Sequence, residues 1–395
     1  MSKTAAPTAP GGTIRLLIID RYLLRQFLQT FLICFVSLTG LYIVIDGFGN
    51  LEEFIDYGQQ HGGLLKVMGE YYGYRSLSFF DTMSPILTLI AAMFTVTWIQ
   101  RHQELTAIEA AGIPKARIIR PIVAAVIAIS LFSALVNREV LIPRVRHHLS
   151  HNAQDLGGSS GTLLVPRYDN ETDILLGGSG AKTYANEQRI ERPDFYLPPG
   201  LDRYGTRLAA ENAYYQPPRE GRAGGYLFRN VEFPKGVEAQ PSLSLDGRPI
   251  LLTPQDHDWL KPNDCFVVSN MSFEHLVGGA AWQRFSSTYG LIRGLRNRSL
   301  DFGADERMAI HSRFVQPLLD VTLLFLGLPL ILSRSNRNVF VAIGLCVLLV
   351  VAFMSVVIGC KELGSSYWLE PASAAWLPLM IFVPCAVAMS GPLRE

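Results

Sequence analysis

RVRHHLSHNAQDLGGSSG, Arg144 to Gly161, is where the chain changes character. Three long apolar segments precede it. The polar stretch that it opens runs on to Ser312, and three more apolar segments follow. Each apolar run is long enough to cross a bilayer, which needs roughly 20 helical residues at about 1.5 Å of rise per residue. The polar stretch is long enough to fold by itself, since domains typically run from about 50 to 250 residues. The pattern predicts an α-helical membrane protein with six transmembrane helices (3+3) and an inserted domain. The divisions are a membrane half at 1–143, the insert at 144–312 and a second membrane half at 313–395.

The six spans are expected near 27–45, 80–100, 118–142, 313–333, 338–360 and 372–391. The first, FLQTFLICFVSLTGLYIVI (Phe27–Ile45), is longer than the apolar core of a signal peptide, and Arg15, Arg21 and Arg25 precede it. It reads as a retained anchor. Before span two, LLKVMGEYYGYRSLSFF mixes aromatics with Lys66, Glu70 and Arg75. Two readings stay open there: an interfacial helix, or an extension of span two.

Lys and Arg near the span ends set the expected orientation. Lys3, Arg15, Arg21 and Arg25 precede span one, and Arg101, Lys115, Arg117 and Arg120 link spans two and three. Arg334 and Arg337 link spans four and five, and Arg394 is in the tail. The loop after span one is acidic, with Asp46, Glu52, Glu53 and Asp56. Cytoplasmic termini and an external insert follow.

Within the insert, TDILLGG, GYLFRNVEF and DCFVVSNMSFEHL are separated by Pro and Gly clusters such as YLPPG and YQPPREG. That pattern suits short strands, and no sustained helical periodicity is visible, so an all-β sandwich or jelly roll is expected. Hydrophobic residues are 49% of the chain and charged residues 17%, below the roughly 25% usual in soluble domains. A formal net charge of +1 argues against a nucleic-acid partner. Cys34, Cys346, Cys360 and Cys385 fall in apolar segments, leaving Cys265 alone in the insert, so no disulfide framework is legible.

Enzyme motifs fail on their context. GGSSG (157–161) fits G-x-S-x-G but lacks the strand before and the helix after that a nucleophile elbow needs. LLGGSGAKT has Leu176 and Ala181 where a phosphate-binding loop requires glycine. No catalytic residue, nucleotide site or cofactor is implied. His147, His151 and Asp155 are spaced to share a helix face, as metal ligands or as interfacial surface residues.

Asp320 stands out as the acidic residue well inside a span, about two turns from Arg313. The two are a possible intramembrane polar pair, either functional or a structural contact with a neighbouring span. No chain of acids crosses the membrane, which disfavours an ion-coupled carrier. The link RHQELTAIEAAGIPKARIIRP has helix-forming composition stopped by Gly112 and Pro114. It would be either a surface helix carrying force into two spans or an ordinary loop.

DRYLLRQF leading into FVSLTGLYIVID resembles the first span of the LptF/LptG permease family, the membrane subunits of the bacterial lipopolysaccharide exporter. RHQELTAIEAAG resembles that family's coupling helix, and RFVQPLLDVTLLFLGLPL its fourth span. The resemblance implies an inner-membrane permease that extracts lipopolysaccharide or a related glycolipid. Its implied partners are an ABC ATPase subunit dimer, a second LptF/LptG-like permease and periplasmic bridge proteins. Carried onto this sequence, Glu104 falls at the coupling-helix acid, with Arg101, Ala107 and Gly112 beside it. Arg144 and Arg146 fall where the family places basic residues near lipid phosphates, and arginine can bind phosphate bidentately. LptG-type members often carry Lys near the outer end of span one, where this chain has Ile43 and a DGFGN turn, so the choice between an LptF-like and an LptG-like part stays open. A subunit that transmits force without moving lipid is one alternative, and an ion-coupled lipid carrier is the other.

Overall fold

The computed structural model describes residues 18–391 except 151–152, 154–155, 157–160, 179, 186, 199–204, 220–221, 246, 301–302 and 333–338. Arg15, His151, Asp155, most of GGSSG, Arg334, Arg337 and Arg394 lie outside the described residues.

Among the described residues, six helices are long and apolar enough to cross a membrane. The first three enter from α1 (Ile18–Gly49), α3 (Leu64–Arg101) and α5 (Lys115–Leu131), the last continuing through a π-helical segment (Phe132–Leu141) into α6 (Ile142–Arg144). Short helices punctuate them: α2 (Leu51–His61), α4 (Glu104–Ala110) and α7 (Arg146–Ser150). Beyond the sheet and two further helices, α8 (Phe273–Phe285) and α9 (Thr288–Leu295), come α10 (Ala304–Leu332), α11 (Val339–Ser365) and α12 (Pro371–Met389). The helices overrun several expected spans. The stretch before span two belongs to one continuous α3, so the extension holds there. Glycine makes the turn from α2 into α3, where Gly62 and Gly63 have φ of 97° and 104°.

Helices α3, α5, α10 and α12 form the centre of the membrane body, with Leu87, Ile122, Val126, Leu323 and Ala374 buried in one core. At Gly327 of α10, a Cβ would collide with the Leu89 side chain of α3, so the absence of a side chain lets the helices approach. In contrast, α1 and α11 bury only 11% and 17% of their most apolar windows within the chain.

Between spans three and four lies an antiparallel sheet. Its strands are β1 (Thr162–Leu163), β2 (Arg167–Asp169), β3 (Ile174–Leu176), β4 (Lys182–Tyr184), β5 (Arg189–Glu191), β6 (Asp194–Tyr196), β7 (Arg207–Gln216), β8 (Gly225–Phe233), β9 (Leu243–Leu245), β10 (Arg248–Leu252) and β11 (Cys265–Val268). The main order is β1-β4-β5-β7-β8-β11-β10-β9, and β2, β3 and β6 branch from β7. Long strands β7 and β8 pair from Ala209↔Phe233 to Gln216↔Gly225, with one bulge. Residues from both arms, including Ile174, Phe195, Phe228, Ile250 and Val267, share one buried core, so the sheet curls around its apolar face. Phe195 meets Phe228 edge-on at 4.9 Å.

One expectation for this region is corrected. The insert is not without helices, since α8 and α9 follow its last strand. Helical spacing is hard to read in α8 because Gly279 has non-helical angles (φ 41°, ψ −124°) and breaks the stripe mid-helix. In both helices a serine supplies the N-cap: Ser272 accepts the His275 N–H and Ser287 accepts the Gly290 N–H.

Candidate functional site

Two regions at opposite ends of span three gather the expected site residues. At its start, α4 connects α3 to α5. Gln103, with a left-handed φ of 59°, turns the chain out of α3, and Gly112, at φ 79°, turns it again after α4. Leu105 and Ile108 pack against Leu23, Ile99 and Ile118, so α4 is seated on α1, α3 and α5 together. The opposite face, with Thr106, Ala107, Glu109 and Ala110, is exposed, as are Arg101 and Gly112. The Glu104 carboxylate is held from α1, where the Tyr22 hydroxyl donates to it at 3.0 Å. A second tie lies nearby, between Arg117 of α5 and Asp20 of α1 at 2.8 Å. Apolar contact therefore seats α4 on three spans and one polar tie holds it to α1, while the Arg117–Asp20 pair joins two of those spans to each other.

At the other end, span three runs out into α6 and α7. Arg144 is exposed, while Arg146 forms an ion pair with Glu274 of α8 and donates to the Ser286 hydroxyl at 3.3 Å. Both arginines line a cleft of about 490 Å³ bounded by α6, α7, α8 and the β1–β4 edge. One wall is apolar, with Phe273, Val277, Ala281 and Trp282; the other carries Thr162, Thr183 and Gln188. Cationic groups beside an apolar wall suit an amphiphile with an anionic head.

His275, on the same helix, is turned from solvent. Its Nδ1 lies 2.5 Å from the Ser272 hydroxyl, and its ring lies 4.4 Å from that of Trp282. Its Nε2 is buried and, among the described residues, has no hydrogen-bond partner. Burial is the main cause that lowers its pKa from 6.5 to about 4; Glu274 opposes this, and Arg146 and Arg167 add to it.

Between these ends, polar side chains join spans two, three and four. Arg138 of the π-helical segment pairs with Asp81 of α3 at 2.8 Å, and Ser133 donates to the same carboxylate at 3.2 Å. Asn137 donates to the Leu77 carbonyl at 2.9 Å. Asp320 is buried and accepts from Ser130 of α5 at 2.6 Å and from Gln316 at 2.8 Å. Arg313 turns the other way and donates to the carbonyls of Ser286 at 2.7 Å and Gln283 at 3.0 Å. Asp320 and Arg313 thus make polar contacts in different directions.

Asp320 is also not the one acid inside a span, because Asp81 stands within α3. Asp81, Arg138 and Glu139 were missed as site residues, although two adjacent charges in the run 118–142 were a usable signal. A proline stands four residues after both Asp81 and Arg313, removing the N–H that would bond their carbonyls. Among the described residues no group of three His, Cys, Asp or Glu could hold a metal ion.

Six apolar helices with an antiparallel sheet between the third and fourth define a helical membrane protein with an inserted β domain. The family model of the lipopolysaccharide export system permease LptF/LptG matches residues 21–166 and 226–391, and the chain belongs to that family. It is a multi-pass inner-membrane protein of the transporter-permease class, not itself an enzyme. A search of the curated proteins found no match.

Proposed function

We propose that the chain is one permease subunit of an ATP-driven exporter that lifts lipopolysaccharide, or a related glycolipid, out of the inner membrane. Family membership supports the substrate class. The observation that carries the coupling is the seat of α4. The exposed Ala107 of α4, with Arg101 and Gly112 at its two ends and the half-buried Glu104 at its first turn, would meet a separate ABC ATPase dimer, while its apolar face packs on three spans. A short surface helix held this way passes a rigid-body push into the bundle. The termini and α4 are then cytoplasmic, in keeping with the Lys and Arg near those span ends, and the β domain is periplasmic.

The poorly buried apolar faces of α1 and α11 suit a second LptF/LptG-like permease, with lipid entering between the two. Arg144 and Arg146 would meet the phosphates of the rising lipid, and the β domain would pass it to a periplasmic bridge. The domain divisions at 1–143, 144–312 and 313–395 match these roles: motor coupling, hand-off and the remainder of the membrane body.

Glu104→Ala should reduce co-purification of the ATPase while leaving the chain in the membrane. Unchanged co-purification would remove Glu104 from the contact. A photo-crosslinker near residue 144 should capture lipopolysaccharide, and charge reversal at Arg144 and Arg146 should reduce the yield; an equal yield would reduce both arginines to membrane anchors.

A further inference from the structure

We propose that Glu274 is a built-in competitor for the lipid headgroup. It occupies Arg146 when the cleft is empty and is displaced by the phosphate of an anionic amphiphile. This rests on the reading that Arg144 and Arg146 meet lipid phosphate. Arg146 is not waiting free. Its guanidinium is taken by the Glu274 carboxylate and by the Ser286 hydroxyl, whereas Arg144, among the described residues, has no carboxylate partner.

The pair is built to exchange. The Glu274 side chain is 56% exposed and that of Arg146 27%, so water and salt screen the attraction and little holds the pair closed. Glu274 sits in the first turn of α8, on a helix whose other residues Phe273, Val277, Ala281 and Trp282 form the apolar wall of the same cleft. A carboxylate that swings into solvent would leave two arginines at the head of an apolar trough. A phosphate can bridge two guanidinium groups with more charge and more acceptor oxygens than a carboxylate offers. Pockets of about 300–1,000 Å³ hold small amphiphilic ligands, and the cleft at about 490 Å³ lies in that range.

With Glu274 in place the cleft has less pull on neutral lipids, because they cannot repay the displaced ion pair. Glu274 would therefore select for anionic headgroups as well as delay their entry.

The test uses the full chain in detergent, with a fluorescent lysophosphatidic acid as probe. A monoacylglycerol of equal chain length and inorganic phosphate serve as competitors. Wild type should bind the probe, with the monoacylglycerol competing weakly. Glu274→Gln and Glu274→Ala should both tighten binding about 2- to 5-fold, the size expected for releasing a screened ion pair. Arg146→Gln should weaken it by about 10-fold, and adding Glu274→Gln to Arg146→Gln should restore nothing.

Unchanged or weaker binding in both Glu274 variants overturns the proposal, as does an equal gain in the Arg146→Gln background. Failure of both Glu274 variants to fold would make the pair a structural strut and would overturn it too. If Arg144→Gln/Arg146→Gln binds like wild type, the lipid-phosphate reading itself fails. If only the Glu274 variants are silent, that reading stands and the competitor is lost. Full displacement by millimolar phosphate would show that the site reads the free anion, against the lipid assignment.

Discussion

Glu139, on the π-helical part of span three, accepts the backbone N–H of Thr288 at 2.8 Å and also the Thr288 hydroxyl. Span three therefore holds the first turn of α9. Arg313 of span four grips the Ser286 carbonyl at 2.7 Å and reaches the Thr288 hydroxyl at 3.4 Å. Two membrane helices with opposite charges thus fix the corner between α8 and α9, and Arg146 reaches the same corner through the Ser286 hydroxyl. Movement of span three against span four would be felt at the cleft.

That corner gives the first prediction. A carboxylate at a helix N-terminus, bonded to its free N–H groups, contributes about 1–2 kcal/mol in partly buried geometry. Glu139→Gln should lower thermal stability in detergent by about that amount, and Thr288→Ala should cost less because the N–H bond remains. A Glu139→Gln protein as stable as wild type would mean that the corner is held without Glu139, by Arg313 and Arg146.

The Asp81–Arg138 pair gives the second. Removing one member of a largely buried ion pair strands the other charge, at a cost of about 3–5 kcal/mol. Asp81→Asn and Arg138→Gln should each be strongly destabilising in a denaturant titration. Asp81→Leu with Arg138→Met should recover most of the loss, because no unpaired charge is left. If the double variant is as unstable as the singles, packing rather than charge governs the site.

His275 gives the third. Its folded pKa of about 4 lies below the 6.5 of the unfolded chain, so between those values the unfolded state binds more protons. The stability from keeping the imidazole neutral is complete above pH 6.5 and is lost progressively as pH falls toward 4. Melting temperature should drop across that window, and His275→Gln should flatten the drop. An identical pH profile in the variant would assign the loss to other groups.

Sequence carried the membrane body well, because apolar run length is set by bilayer thickness and needs no knowledge of neighbours. The insert was legible as strands from its alternation and its Pro and Gly clusters, and in α4 the stop signals Gly112 and Pro114 marked a real helix end. Helices α8 and α9 were not legible, since Gly278 and Gly279 interrupt the period and the two helices are short. Nor was the Asp81–Arg138 pair: the residues are 57 positions apart and meet only once α3 and the π-helical segment lie side by side. The tie from Tyr22 to Glu104, 82 positions apart, has the same character. Local pattern shows which residues are costly in a membrane, whereas their partners depend on helix packing.

On the proposed function, this permease moves lipopolysaccharide when a partner ATPase pushes on α4. The most direct measurement reconstitutes the chain with its partner permease and ATPase in proteoliposomes loaded with lipopolysaccharide, and follows ATP-dependent transfer to a soluble acceptor. Transfer should require ATP and fall to background in Glu104→Ala, with crosslinking of lipopolysaccharide near residue 144 retained. Transfer that proceeds equally without ATP, or in Glu104→Ala at the wild-type rate, would contradict the proposed function.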